Sequence, residues 1–225
     1  MTPEAATSAP APLTLWVVPV ADLGGVARHV LDVARVGLPG LRLAVLCPEG
    51  PLAERLREQG AAVFTGDVGP DAGLAASVRT LRTAVRTLCP AAVHTHLAYA
   101  DLAAFTALGA ERALRRPGAP ALLSTEHGIA PDDGLYNRAA AARVKNAAHR
   151  ARLRGTDLVI AVAQSTADVL RRKWGAGAPL TVVRNGVDGP AVRAEAAGQR
   201  RAPGEGLRIL SLSRLAPEKN LDRLI

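Results

Sequence analysis

Residues 13–36 read LTLWVVPVADLGGVARHVLDVARV, and this stretch decides the fold. Its first part, Leu13 to Val20, is an apolar run with the length of a buried β-strand. Ala-Asp-Leu-Gly-Gly interrupts the run, and the residues that follow place Val26, Val30 and Val33 on one face of a helix. A buried strand, a glycine pair and an amphipathic helix together predict the first half of a βαβ unit.

The same alternation continues along the chain. Further strands are predicted at 41–47, 61–65, 91–96, 121–125, 158–162 and 180–184. Further helices are predicted at 52–59, 74–88, 101–114, 138–154 and 165–173. Strands that alternate with helices imply right-handed crossovers, and mostly apolar strands suit a sheet that is covered on both faces. We therefore predict an α/β fold with a doubly wound, mostly parallel Rossmann-like sheet over residues 13–185.

Composition divides the rest of the chain. Residues 1–12 are mostly Ala, Pro, Thr and Ser, and are predicted to be disordered. Residues 186–206 are polar and punctuated by Gly and Pro, as in a linker. Residues 207–225 hold a new strand, at 207–212, and the start of a helix. We expect them to begin a second, donor-binding domain that is mostly absent from this sequence, or else to dock on the first domain.

The overall composition excludes several classes of protein. The 225 residues are 48% apolar and 21% charged, as in an ordinary globular protein. No stretch reaches the roughly 20 apolar residues of a membrane-spanning helix, and the N-terminus lacks the pattern of a secretory signal. Two cysteines, Cys47 and Cys89, cannot form a disulfide framework or a closed zinc site. These features predict a cytoplasmic protein.

Basic residues outnumber acidic ones by 28 to 20, which gives a net charge of +8. The excess suggests an anionic partner, although an Ala- and Arg-rich composition explains it equally well. No motif for reading nucleic acid is present, so nucleic acid is not an expected partner. The predicted helix 138–154 could contact an anionic membrane, or could simply be a solvated face. It carries no acidic residue and six cations: Arg138, Arg143, Lys145, Arg150, Arg152 and Arg154.

Candidate ligand-binding residues follow the predicted strands, because ligands of open parallel sheets bind outside the carboxyl ends of the strands. Gly24 and Gly25 lie where the amides at a helix N-terminus would meet an anion. They match neither a G-x-G-x-x-G motif nor a Walker loop, and a tight turn would explain them as well. His127 closes the fifth strand beside a glycine, where an imidazole suits hydrogen bonding or proton transfer.

His94 and His96 end the fourth strand and lie on one face of it. Such a pair could bind a metal ion, but no third ligand of matching type is evident nearby. We therefore interpret the pair as a polar cleft edge and expect no metal. Arg214 and Lys219 follow the strand at 207–212. Two cations beside a helix N-terminus could clamp a diphosphate, although charged loop residues are usually solvated.

Five motifs occur in the order GGVARHV, VHTH, STEHG, TVVRNGVD and SRLAPEKNLDRLI. Together they resemble the retaining nucleotide-sugar glycosyltransferases of the GT-B fold, the group with a glycosyltransferase subfamily 4-like N-terminal domain. The resemblance covers nearly the whole chain after residue 13. Its most specific parts are NGVD, at the hinge between the domains, and RLAPEK, at the start of the donor domain.

The resemblance implies a role for each candidate residue. Gly24 and Gly25 match the glycine loop that approaches the donor diphosphate. His127 matches the histidine near the transferring sugar and the donor phosphate. Arg214 and Lys219 match the cationic pair on the pyrophosphate. More loosely, Tyr99 and Asp101 fall in a loop that commonly faces the acceptor.

The implied function is transfer of a sugar from a nucleotide-sugar to a glycan, lipid or small alcohol, with retention and without a metal or other cofactor. The family's donor domain carries a downstream glutamate-containing segment that holds the sugar and ribose, and this sequence ends before it. We therefore expect the chain to be an N-terminal portion that is inactive alone. The alternatives are a GT-B epimerase or phosphorylase, and a non-catalytic domain that binds phosphorylated sugars or anionic lipid.

Overall fold

The computed structural model describes residues 10–114, 117–129, 139–175, 177–186 and 221–223. Within these residues, seven strands are β1 (Leu13–Val17), β2 (Arg42–Cys47), β3 (Ala62–Thr65), β4 (Ala92–His96), β5 (Ala121–Glu126), β6 (Leu158–Ala161) and β7 (Leu180–Val182). The α-helices are α1 (Gly25–Val36), α2 (Pro51–Glu58), α3 (Leu74–Leu88), α4 (Ala98–Ala113), α5 (Ala139–Arg154) and α6 (Gln164–Trp174). Short 3₁₀ turns lie at Pro70–Ala72 and Leu221–Arg223.

All seven strands join one sheet in the order β3-β2-β1-β4-β5-β6-β7, and every neighbouring pair is parallel. The predicted doubly wound α/β fold is therefore confirmed. The chain winds outward from β1 to β3 and then returns to place β4 on the other side of β1. This switch in winding direction opens a crevice at the carboxyl ends of β1 and β4, which is where such sheets bind ligands.

The two faces of the sheet carry separate cores, because successive side chains of a strand point to opposite faces. On the face that we call the α1 face, Trp16 and Val45 pack with residues of α1 and α2. On the other, the α4 face, Leu15 and Leu46 pack with residues of α3 and α4. Covering helices on both faces explain why the central strands are apolar almost throughout.

Two element boundaries differ from the sequence prediction by three residues. β1 ends at Val17 rather than Val20, although the amide of Val18 still donates to the carbonyl of Leu46 at 2.9 Å. Helix α4 begins at Ala98, three residues earlier than predicted. It starts directly after Leu97, whose φ of 74° is strained for a residue with a Cβ. The early start places the residues after VHTH in the first turn of a helix instead of in a loop.

The chain divides after Gly186, and the described residues up to that point form one compact unit. The predicted strand at 207–212 lies outside the described residues, as do Arg214, Lys219, residues 1–9 and all but the first residue of the predicted linker. The predictions about them stay predictions. Among the helices that the structure describes, none combines the length and the apolar character needed to cross a membrane.

Candidate active site

The N-terminus of α1 is open at the carboxyl end of β1. Gly24 caps the helix with an extended backbone (φ −157°, ψ −167°), and no side chain caps it among the described residues. A Cβ placed on Gly24 or Gly25 would have no described atom within 4 Å. Neither a left-handed conformation nor packing therefore requires glycine at these two positions. Their missing side chains instead leave the helix amides accessible to an anion, which favours the ligand interpretation over the tight turn.

Four histidines lie together beside this helix end, and we call them the histidine cluster: His29, His94, His96 and His127. The strand register brings the last three to one face. His96 pairs with Thr125 of β5, and His127 follows two residues later on the same side of the sheet. Ring centroids are 4.7 Å apart for His94 and His96, and 5.3 Å apart for His96 and His127.

Helix α1 supplies the fourth ring of the cluster. The centroid of His29 lies 5.1 Å from that of His127. Beneath the cluster is the indole of Trp16, which is paired with His94 in the register between β1 and β4 and is stacked against His29. The histidine cluster thus spans the crevice between β1 and β4, on the α1 face.

Hydrogen bonds order the cluster only in part. His96 Nδ1 lies 3.0 Å from His127 Nε2, and His94 Nε2 lies 2.7 Å from the hydroxyl of Thr125. His96 is completely buried, yet its Nε2 has no partner in the described part of the chain. His29 and His127 are half-buried. The cluster therefore combines a buried anchor with two rings that a ligand can reach.

Burial sets the protonation state of these rings. Loss of hydration lowers the pKa of His94 and of His127 to about 4, and the neighbouring imidazoles add to this effect. Burial also lowers the pKa of His96 well below its usual range and lowers the pKa of His29, although Asp32 opposes the shift at His29. The rings are therefore neutral at pH 7, and each can donate one hydrogen bond and accept another.

A second polar cluster lies on the α4 face of the same strands, and we call Asp101, Glu126 and Arg152 the ion cluster. All three side chains are at most 2% exposed. The Arg152 guanidinium donates to both carboxylates, and Ser124 donates to Asp101 at 2.6 Å. Thr95 also donates to Asp101. The ion cluster ties α4 and α5 to the ends of β4 and β5.

Two carboxylates and one guanidinium leave the ion cluster with an excess of negative charge. Desolvation, and repulsion from Glu126, raise the pKa of Asp101 to about 7, even though Arg152 acts in the opposite direction. Because of this raised pKa, Asp101 keeps its proton at pH values where an ordinary aspartate has lost it, which lowers the cost of burying a second carboxylate.

The ion cluster corrects two expectations from the sequence. Asp101 does not lie in a loop facing an acceptor, since it is buried in the first turn of α4. Tyr99 lies in the same turn, and its hydroxyl is 3.1 Å from that of Ser77 in α3. Arg152 is not available to a membrane surface, whereas Arg143, Arg150 and Arg154 of the same helix are exposed. Arg138 lies outside the described residues.

The sequence prediction singled out three of the four clustered histidines but missed His29 and the ion cluster. The motif GGVARHV held the signal for His29, because a residue one turn into a helix lies above the helix N-terminus. No local signal marks the ion cluster, whose members come from three separate elements. The sequence prediction found no third metal ligand near His94 and His96. In the structure, His29 and His127 lie beside His96, so candidate ligands that are distant in sequence are present at this site.

Comparison with known proteins places these features in a family. The model of Glycosyltransferase Family 4 matches residues 23–189, a range that includes Gly24, Gly25 and all four clustered histidines. No curated protein matches the chain.

Solved structures share the fold. HepE of Anabaena, in complex with UDP-glucose, is 18% identical with a TM-score of 0.61, and the match covers 83% of this chain and 50% of HepE. A glycosyltransferase from Rickettsia africae is 20% identical with a TM-score of 0.55, with 83% and 48% covered. Sucrose-phosphate synthase from Thermosynechococcus elongatus is 14% identical with a TM-score of 0.56, with 82% and 52% covered.

The chain spans about half the length of these solved proteins. Its parallel sheet has the Rossmann-like architecture of their GT-B fold. At these identities the likeness concerns the fold, whereas the family model matches most of the sequence itself. The chain therefore belongs to Glycosyltransferase Family 4.

Proposed function

We propose that this chain is the N-terminal, acceptor-side portion of a cytoplasmic enzyme that transfers a sugar from a nucleotide-sugar to an alcohol acceptor, with retention. One observation carries the proposal: the uncapped N-terminus of α1 opens beside neutral histidines in the crevice between β1 and β4. This arrangement suits a diphosphate joined to a sugar. The helix amides would bind the charge of the diphosphate, and the histidines would bind the oxygens of the sugar. The UDP-glucose in the HepE complex supports the same class of donor.

His127 would act on the donor as a neutral hydrogen-bonding group. It is half-buried, and one ring nitrogen, Nε2, lies against His96. A 3.0 Å contact between two ring nitrogens requires one hydrogen, so the tautomers of His96 and His127 are coupled and the contact orients the ring of His127. Stabilisation of charge as it develops on the sugar or phosphate is the role we assign to this ring.

The leaving diphosphate needs more positive charge than one helix dipole supplies. We assign that charge to Arg214 and Lys219, which lie outside the described residues. With both cations in place the transfer step requires no metal ion. The proposed activity belongs to a protein that contains both halves of the fold. Since the chain spans about half the length of the solved proteins that share its fold, we expect no sugar transfer by the 225-residue chain alone.

The alternative is a non-catalytic domain that binds phosphorylated sugars or anionic lipid. The exposed cations of α5, Arg143, Arg150 and Arg154, favour contact with a lipid surface. Peripheral contact with the inner face of the membrane is also compatible with the enzyme, if its acceptor is a lipid. A transfer assay separates the two functions, and it also separates transfer from the free-sugar turnover of an epimerase or phosphorylase.

His127→Ala, in a protein that contains both halves, tests the proposal. We expect kcat to fall on the order of 10²-fold, because a hydrogen bond to developing charge is lost. Folding should change little, since a half-buried residue beyond the end of a strand contributes little to the core. His127→Gln, which keeps a donor and an acceptor, should recover part of the loss. Wild-type turnover in His127→Ala, or loss of activity only through unfolding, would remove His127 from the site.

A further inference from the structure

We infer that His29, His96 and His127 form a binding site for a divalent first-row transition metal ion such as Zn²⁺. Each residue offers one ring nitrogen, and the three nitrogens lie within 4.8 Å of one another. The rings come from helix α1, strand β4 and the residue that follows β5. Three separate elements of the fold thus converge on one point.

The distances are close to those of a tetrahedral zinc site. With Zn–N bonds of about 2.0–2.1 Å, two ligand nitrogens lie roughly 3.4 Å apart. His96 Nδ1 and His127 Nε2 already lie 3.0 Å apart. The remaining adjustment, up to about 1.4 Å, falls on His29, whose half-buried side chain can approach the pair through a change in its side-chain torsions.

The hydrogen bonding of His96 points to a ligand as well. The nitrogen of His96 that faces the site is Nδ1, and its partner in the described part of the chain is the imidazole of His127 rather than a carboxylate or a carbonyl. A metal ion can replace the proton that these two neutral rings share. His94 is different, because its Nε2 is engaged by Thr125. His94 therefore packs beside the site, 4.7 Å from the ring of His96, and supports its orientation.

The chemistry of the ligands selects the metal. Imidazole nitrogen suits Zn²⁺, Co²⁺, Ni²⁺ and Cu²⁺, whereas Mg²⁺ and Ca²⁺ prefer oxygen ligands. Among the neighbouring carboxylates, Asp32 is paired with Arg28 at 2.9 Å and does not complete an oxygen site. Three histidines leave a fourth coordination position, as in catalytic zinc sites. An ion at this position would occupy the crevice beside Gly24 and compete with the donor, a consequence that rests on the proposed function.

The test uses the 225-residue chain, freed of metal by a chelator and then titrated with CoCl₂. Tetrahedral Co²⁺ should give visible absorption bands that ZnCl₂ then abolishes by displacement, and MgCl₂ should have no effect. His29→Ala and His127→Ala should each weaken Co²⁺ binding by at least about 100-fold, more than the loss of a supporting second-shell group usually costs. His149→Ala is the matched control, since that ring stacks on Trp174 outside the histidine cluster. It should bind Co²⁺ as the wild type does.

Circular dichroism tests whether each variant is folded. If an alanine variant does not fold, His29→Gln or His127→Gln takes its place. A wild-type chain that binds neither Co²⁺ nor Zn²⁺, or binding that survives in the folded His29 and His127 variants, would overturn the inference. A separate titration of the two-domain protein with nucleotide-sugars, in the presence of chelator, tests the proposed function independently. If the protein binds metal but not the donor, the proposed function is rejected and the metal site stands. If it binds the donor but not metal, the metal site is rejected and the proposed function stands.

Discussion

Adjacent residues at the ends of β4 and β5 serve the two faces of the sheet in different ways. On the α1 face, His94, His96 and His127 are neutral, and the last of these is half-exposed. On the α4 face, Glu126 joins a charged cluster that is sealed from solvent and bonded throughout. Because side chains alternate across a strand, one strand end can carry both a ligand site and the structure that holds it in place.

The difference shows which cluster supports the fold and which is available for chemistry. Arg152 donates to Asp101, to Glu126 and, through Nε, to His149 at 2.9 Å. Glu126 is thereby fixed, and the next residue is His127. The histidine cluster instead contains a buried nitrogen without a partner among the described residues and two rings that solvent reaches. Changes on the α4 face should therefore affect stability, and changes on the α1 face should affect binding.

The largest effect is expected from Arg152→Met, which leaves two buried carboxylates without their cation. We expect the free energy of unfolding to fall by about 3–5 kcal/mol at pH 7. Denaturant titration measures this change. Arg154→Met, two residues along the same helix but exposed, should change it by no more than about 0.5 kcal/mol. Equal losses in the two variants would show that the ion cluster does not hold the fold together.

The next largest effect is expected in the pH dependence of the free energy of unfolding of the metal-free protein, to which the two faces should contribute with opposite signs. In the unfolded chain the histidines become protonated below about pH 6.5. In the folded protein their pKa values are lowered, so His94 and His127 stay neutral down to about pH 4. Their contribution makes the free energy of unfolding fall as pH drops from about 6.5 to about 4. Asp101 acts in the opposite direction: the folded protein holds its proton up to about pH 7, so its contribution falls as pH rises from about 4 to about 7.

The contributions of the four histidines together exceed that of the one aspartate. The free energy of unfolding should therefore increase with pH between about 5 and 6.5. Asp101→Asn removes the opposing contribution. It should steepen that increase by about 1.4 kcal/mol per pH unit, the value of one proton, measured by denaturant titration at pH 5 and pH 6. An unchanged slope in Asp101→Asn would contradict the raised pKa, and a wild-type stability that falls as pH rises would contradict the neutral histidines.

Gly24→Ala is expected to have only a small effect on stability. The added methyl group meets no described atom and the backbone is extended, so the free energy of unfolding should change by less than about 1 kcal/mol. Donor affinity in the two-domain protein should fall at least about 10-fold, because the methyl group stands over the helix amides. Calorimetric titration with a panel of UDP-, GDP- and ADP-sugars measures this change.

Gly37→Ala, at the other end of α1, is the converse control for that experiment. Its φ of 82° makes a side chain unfavourable, so stability should fall by about 1 kcal/mol while donor affinity is unchanged. If Gly24→Ala binds donor normally, the open helix end is not the diphosphate site.

The sequence was sufficient to predict elements but not contacts between them. Leu74, Val78, Leu81 and Val85 follow a helical period, and α3 spans the predicted residues 74–88. Such periodicity depends on neighbouring residues alone. The pairing of Arg152 with Asp101 joins residues 51 positions apart, and it exists only because α4 and α5 pack on the same face of the sheet. The same reason kept His29 out of the predicted site, since it reaches the other histidines only after α1 has packed.

The strand order also determines when each part of the molecule can form. β1, β2 and β3, with α1 and α2 between them, lie within residues 13–65 and contain the apolar residues of the α1 face. β1 meets β4 only after the chain has extended to Ala92, and the histidine cluster waits for residue 127. As the nascent chain leaves the ribosome, it can therefore pack its first βαβαβ segment while Leu15 and Leu46 are still uncovered on the opposite face. The crevice is a late product of synthesis, and slowing translation between residues 65 and 92 would lengthen the time for which that apolar surface is exposed to chaperones.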